Sequence, residues 1–149
     1  MINFKNRLEI ISPEFSNKIL LASDEILREI AVISSSFAIE RTKLVNPILE
    51  ESLTQLRAGI IGDQDLIDKL EDLVYELDLI QWEIRELWKE NQAGEEDYVK
   101  AFYEARAANA VYYALQPISQ LAAVESTYEA IAATDDLPTL EKLILNKLE

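Results

Sequence analysis

The sequence predicts an all-α protein: a bundle of five to seven helices built around one long antiparallel helical hairpin. Three observations carry this. From Asp63 to about Gln92, apolar residues recur at Leu66, Leu70, Leu73, Leu77, Ile80, Ile84 and Leu87, alternately four and three apart, which is a heptad seam. Only 3 glycines and 4 prolines interrupt a 149-residue chain rich in Leu, Ile, Ala and Glu. Polar capping residues followed by proline or carboxylates stand ahead of several apolar stripes. A chain of this size can bury roughly two-thirds of the surface it exposes when unfolded, so residues 1–149 are expected to form one domain without a metal or disulfide staple.

The first helix starts at Ser12-Pro13-Glu14, where serine caps free amides and proline at the first helical position loses nothing by lacking an N–H. Phe15, Ile19, Ala22, Ile26, Ile30 and Ile33 give it an apolar stripe. It ends at the Ser34-Ser35-Ser36 cluster or runs through it to about Lys43. Asn46-Pro47 opens a shorter helix with Ile48, Leu49, Leu53 and Leu56 inward, and Gly59 or Gly62 near its end. Asp63 and Asp65 begin the seam helix, at the positive end of its dipole.

Ala93-Gly94 is the turn between the hairpin arms, which span about 63–92 and 95–116. In the second arm Tyr98, Phe102, Ala105, Asn109, Tyr112 and Gln116 recur at helical spacing. Alanines at 101, 105, 107, 108, 110 and 114 allow a neighbouring backbone to approach closely. Gln116-Pro117 interrupts this arm, because proline removes an amide donor and disfavours helical geometry in the residue before it. Ile118, Leu121, Val124, Tyr128 and Ile131 resume the stripe, and Asp135-Asp136-Leu137-Pro138 opens a last helix with Leu140, Leu143, Ile144 and Leu148 on one side.

The net charge of -14 is uneven. Residues 1–62 hold 7 basic and 8 acidic side chains, whereas residues 63–149 hold 7 and 20, so the balances are -1 and -13. Such a surface repels phosphate backbones, which argues against nucleic-acid binding, and attracts basic proteins. No stretch has the length and apolarity of a membrane span, and the Met1–Ser12 segment mixes Lys5, Arg7 and Glu9 among its apolar residues, unlike a secretory signal. With no cysteine either, the expected location is the cytoplasm.

The chain has no histidine and no cysteine, which removes the imidazole and thiolate ligands of most transition-metal sites and the bases and nucleophiles of Ser-His-Asp and Cys-His catalysis. No cofactor or metal is expected. Carboxylate-only magnesium chemistry remains open, through Asp65, Asp68, Glu83 and Glu86. Glu83-Ile84-Arg85-Glu86 is similar to half of the paired signature of all-α nucleotide pyrophosphatases, and that resemblance implies a magnesium-dependent hydrolase. No Glu-x-x-Asp follows it to supply the other half.

Two further sets of residues are candidates for function. Arg106, Asn109, Tyr112 and Tyr113 would form a small-molecule or partner pocket, with Glu125 or Glu129 as ionic partners. Alternatively Asn109 sets helix register and Arg106 makes a salt bridge between helices. Tyr75 and Trp82, on the flank of the seam beside Glu83 and Glu86, suit contact with a second chain. The leading expectation is a non-catalytic acidic protein acting through protein contacts, as an adaptor, inhibitor or immunity- or antitoxin-like protein, with a basic partner and a homodimeric form.

Overall fold

The computed structural model describes residues 6–149; the start of the Met1–Ser12 segment, with Lys5, lies outside the described residues. Among these residues the chain is all-α: eight helices, α1 (Arg7–Ile11), α2 (Pro13–Leu20), α3 (Asp24–Thr42), α4 (Pro47–Arg57), α5 (Gln64–Lys89), α6 (Glu95–Ala114), α7 (Ser119–Thr134) and α8 (Leu137–Leu148), and no strand. The number exceeds the five to seven expected because α1 forms a short helix of its own and the first long helix divides early. The division falls at Leu21–Ser23, not at the serine run. The Ile26 N–H donates to Ser23 Oγ at 3.3 Å, and Asp24 and Glu25 occupy the first turn, so Ser23 starts a new helix.

The serine run lies inside α3 because small hydroxyl side chains are needed there. Ser34 and Ser35 are buried; Ser35 Oγ donates back to the Ala31 carbonyl at 2.7 Å, and Ser34 Oγ lies 2.8 Å from Thr127 Oγ1 on α7. The pairs Arg28–Ser119, Ser34–Thr127 and Arg41–Asp136 show that α3 and α7 run parallel. These two helices and α6 form the centre of the bundle, with α5 on the outer side of α6. Helix α4 crosses α3, α5 and α6, and α1, α2 and α8 close the remaining side around α3 and α7.

The cap signals act as expected: Ser12, Asn46, Asp63 and Asp136 each accept an amide of the first turn that follows, and Asn6 does the same for α1. Gly59, at φ 77°, ends α4 in the left-handed conformation that glycine adopts at little cost. The hairpin turn is longer than expected. Helix α5 stops at Lys89 rather than Gln92, Asn91 takes the left-handed step at φ 59°, and Gly94 begins α6 with its N–H donating to the Asp97 carboxylate at 3.2 Å. At the other end α6 stops at Ala114, short of Gln116. The Arg28 guanidinium satisfies that end, donating to the carbonyls of Gln116 at 2.7 Å and Pro117 at 2.6 Å and to Ser119 Oγ at 3.1 Å.

The stripe expected to face inward on α6 marks the margin of its buried surface instead. Tyr98, Phe102, Asn109, Tyr112 and Gln116 are only half-buried, while all six alanines and Val111 are buried. Four helices, α3, α4, α5 and α7, pack against α6, and a backbone packed that closely leaves room for little beyond a methyl group. Ile118 and Leu143, expected inside, are exposed: Ile118 caps α7, and α8 buries Leu140 and Ile144 on its neighbouring side. No described helix is long and apolar enough to cross a membrane. Replacing Ser23 by alanine should lower stability by about 1 kcal/mol in urea unfolding, with no change in helix content.

Candidate functional site

Arg106 and its neighbours belong to an ionic cluster joining four helices. On α6, Arg106 donates through Nη1 to Glu129 of α7 at 3.1 Å and through Nη2 to Asp78 of α5 at 2.6 Å. From α1, Arg7 donates through Nε to Glu125 at 2.8 Å, and its Nη2 lies 2.6 Å from Glu129. The Arg7 guanidinium also covers the Tyr128 ring at 4.3 Å and approaches the Tyr113 ring at 5.6 Å. Glu129 has no exposed surface, and the guanidinium groups of both arginines reach it.

Much of the donor capacity of the two arginines is spent within this arrangement, although Arg106 Nε is buried without a hydrogen-bond partner. Both terminal nitrogens of Arg106 are engaged by carboxylates, and Tyr112 packs edge-on against Tyr113 with centroids 5.4 Å apart. Asn109 stands half-buried at the margin of α6, not in the centre of its buried side. Burial pushes the Tyr112 and Tyr113 hydroxyls above the ordinary tyrosine range, so neither is a base at neutral pH. Grooves of about 540 and 500 Å³ open elsewhere on the surface, lined by other residues. The ion pairs of the cluster link α1, α5, α6 and α7. Arg7 and Asp78, which complete it, carried no signal in the sequence, because only the tertiary fold brings them to α7.

The second candidate set lies on α5. Tyr75 and Trp82 are 67% and 50% exposed, and Leu79, not singled out in the sequence, joins them at 45%. Spaced four and three apart, the three side chains lie on successive turns of the side facing away from α6. Glu83 and Glu86 flank them, also exposed. Arg85 stands 4.9 Å from the Trp82 ring centre, which limits the freedom of the indole. Trp88 behaves differently: it stacks on Tyr98 at 5.3 Å and ties the two hairpin arms together near the turn.

The carboxylates of the magnesium alternative are dispersed along the exposed side of α5. Asp65 pairs with Lys69 at 3.3 Å, Glu86 with Lys89 at 3.4 Å, and Asp68 accepts from Gln64 at 2.9 Å. Among the described residues no three acidic groups converge where a metal ion could sit. Comparison with protein-family models, with curated proteins and with solved structures gives no match.

Glu129→Ala should destabilise the protein by about 3 kcal/mol in urea at neutral pH, since it strands Arg7 and Arg106 without their shared partner. Burial pushes the Glu129 carboxyl above its ordinary 4.5, against the pull of Arg106 and Arg7. The unfolded chain then releases this proton more readily than the folded one, so Glu129 contributes stability that is full below pH 4.5 and lost as pH rises through the raised value. Glu129→Gln stays neutral throughout. Relative to it, the wild type should lose unfolding free energy as pH rises above 4.5, measured by urea unfolding at a series of pH values.

Proposed function

We propose that this protein is a non-catalytic interaction protein of the cytoplasm, an adaptor or an inhibitor of the immunity- or antitoxin-like kind, that holds a basic protein against the outer side of α5. The observation that carries this reading is the exposure of Tyr75, Leu79 and Trp82 on one side of an acidic helix. Large apolar side chains aligned on successive turns at 67%, 45% and 50% exposure are costly in water and suit burial against a partner. Between Asp63 and Glu90 ten acidic residues face only three basic ones, which selects a positively charged partner.

The mechanism divides between charge and contact. Glu83 and Glu86, with the other carboxylates of α5, draw the partner in and orient it; Trp82 and Tyr75 then anchor the complex by displacing water. Because Arg85 already limits the motion of Trp82, less side-chain freedom is lost on binding. The same charge opposes pairing two copies through this face, so the reading favours a different protein over a homodimer.

Immobilised protein should retain a basic protein at low salt and release it as ionic strength rises. Trp82→Ala should weaken that complex by about 2 kcal/mol, roughly thirtyfold, and mainly through faster dissociation. Glu83→Lys with Glu86→Lys should mainly slow association. Capture that is indifferent to both salt and Trp82→Ala, or that recovers no basic protein, overturns the reading.

A further inference from the structure

The heptad seam of α5 is closed along only part of its length. Leu66, Leu70 and Leu73 are 2%, 0% and 8% exposed, in one apolar cluster with Leu49, Leu53 and Leu56 of α4. There α4 lies against both α5 and α6 and acts as the third helix of the packing. Further along, the pattern continues without a cover. Leu77 and Ile84 are half-buried, and Ile80 and Leu87 are each 41% exposed. Between α5 and α6 this leaves a groove of about 500 Å³ with Leu77, Ile80, Ile84 and Ala101 in its lining.

Both margins of the groove are acidic, and both repeat every seven residues. On α5, Glu76 and Glu83 each precede a seam residue by one position, and Glu90 extends the row. In a heptad with the seam at a and d, this is position g, which chooses partners by charge. On α6, Asp97 and Glu104 line the opposite margin, with Lys100 as the single base in the lining. We propose that an amphipathic helix of another protein, apolar at heptad spacing and flanked by lysine or arginine, docks in this groove. It completes a three-helix coil with the C-terminal half of α5 and the N-terminal half of α6, as α4 does beside the N-terminal half of α5 and the C-terminal half of α6.

Charge selects this occupant over the others. A second copy of the chain would set five marginal carboxylates against five more, and an acidic or neutral helix would leave them unneutralised. The open seam from Leu77 to Leu87 spans about 15 Å, so about three turns of the incoming helix suffice. The groove lies on a different side of α5 from Tyr75 and Trp82. The two surfaces can therefore be tested, and can fail, separately.

The test uses two synthetic helical peptides of about eighteen residues, with identical leucine heptads and either lysine or glutamate at the flanking positions, titrated into the full chain by calorimetry. The lysine peptide should bind at least roughly tenfold more tightly than the glutamate peptide. Ile80→Asp should weaken the lysine peptide by a similar factor, with the fold checked by circular dichroism, whereas Trp82→Ala should leave it unchanged. Glu76→Lys with Glu90→Lys, at exposed positions that do not threaten folding, should reverse the preference toward the glutamate peptide. Three results would overturn the proposal: binding of the lysine peptide that survives the Glu76 and Glu90 reversals, binding lost on Trp82→Ala, or a dimer of the protein alone that Ile80→Asp dissolves.

Discussion

Glu129 is the residue on which the arrangement of helices turns. It is fully enclosed in the middle of α7, and an enclosed carboxylate costs several kcal/mol unless cations and donors reach it. Two arginines do so, Arg7 from α1 and Arg106 from α6, and Arg106 in turn holds Asp78 of α5. Four helices must therefore be correctly placed at once. An apolar residue at this position would tolerate sliding and rotation of α7, whereas a charge at this depth does not. The cluster contributes to a single packing arrangement more than to net stability, since its desolvation offsets much of its attraction.

The requirement that α7 sit between α3 and α6 explains the small residues that crowd these helices. Ala122, Ala123, Ser126, Thr127 and Ala130 are all buried on α7, opposite Ser34, Ser35 and Ala38 of α3 and the alanines of α6. The buried hydroxyls satisfy themselves locally: Thr127 Oγ1 donates to the Ala123 carbonyl at 2.7 Å, as Ser35 does to Ala31. They act as near-isosteres of small apolar groups while linking α3 to α7. With so little side-chain volume between these helices, the larger buried apolar residues gather in two clusters, one shared with α1, α2 and α8 and the other with α4 and α5.

What was legible in the sequence was what depends on nearby residues. The caps at Ser12, Asn46, Asp63 and Asp136, the glycine after α4 and the break at Pro117 are set by side chains within a few positions, and each was readable. The seam on α5 was readable because leucine and isoleucine make its period visible. The buried face of α6 is obscured for the opposite reason: alanine contributes little to an apolar pattern, so Tyr98, Phe102 and Tyr112 at the margin dominate it. Ser23 competed with a longer serine run that looked more like an interruption. Glu129 is within reach of a sequence reading as a partner for Arg106 because it lies on the next helix, but Arg7 lies more than a hundred residues from Glu129 and Asp78 sits within an acidic stretch that hides it.

Helix α5 changes its surroundings along its length. Its proximal half meets α4 and α6 and is buried like any core helix, while its distal half extends past α4 with apolar side chains on two sides. Exposed leucine, isoleucine and tryptophan on a helix invite self-association. The carboxylates placed between them oppose it, because any like copy brings the same charge. On the proposed reading, that balance keeps the surface available in water and penalises partners that do not carry the opposite sign. The acidity of the second part of the chain would then act as the filter on what the proposed apolar surface of α5 binds.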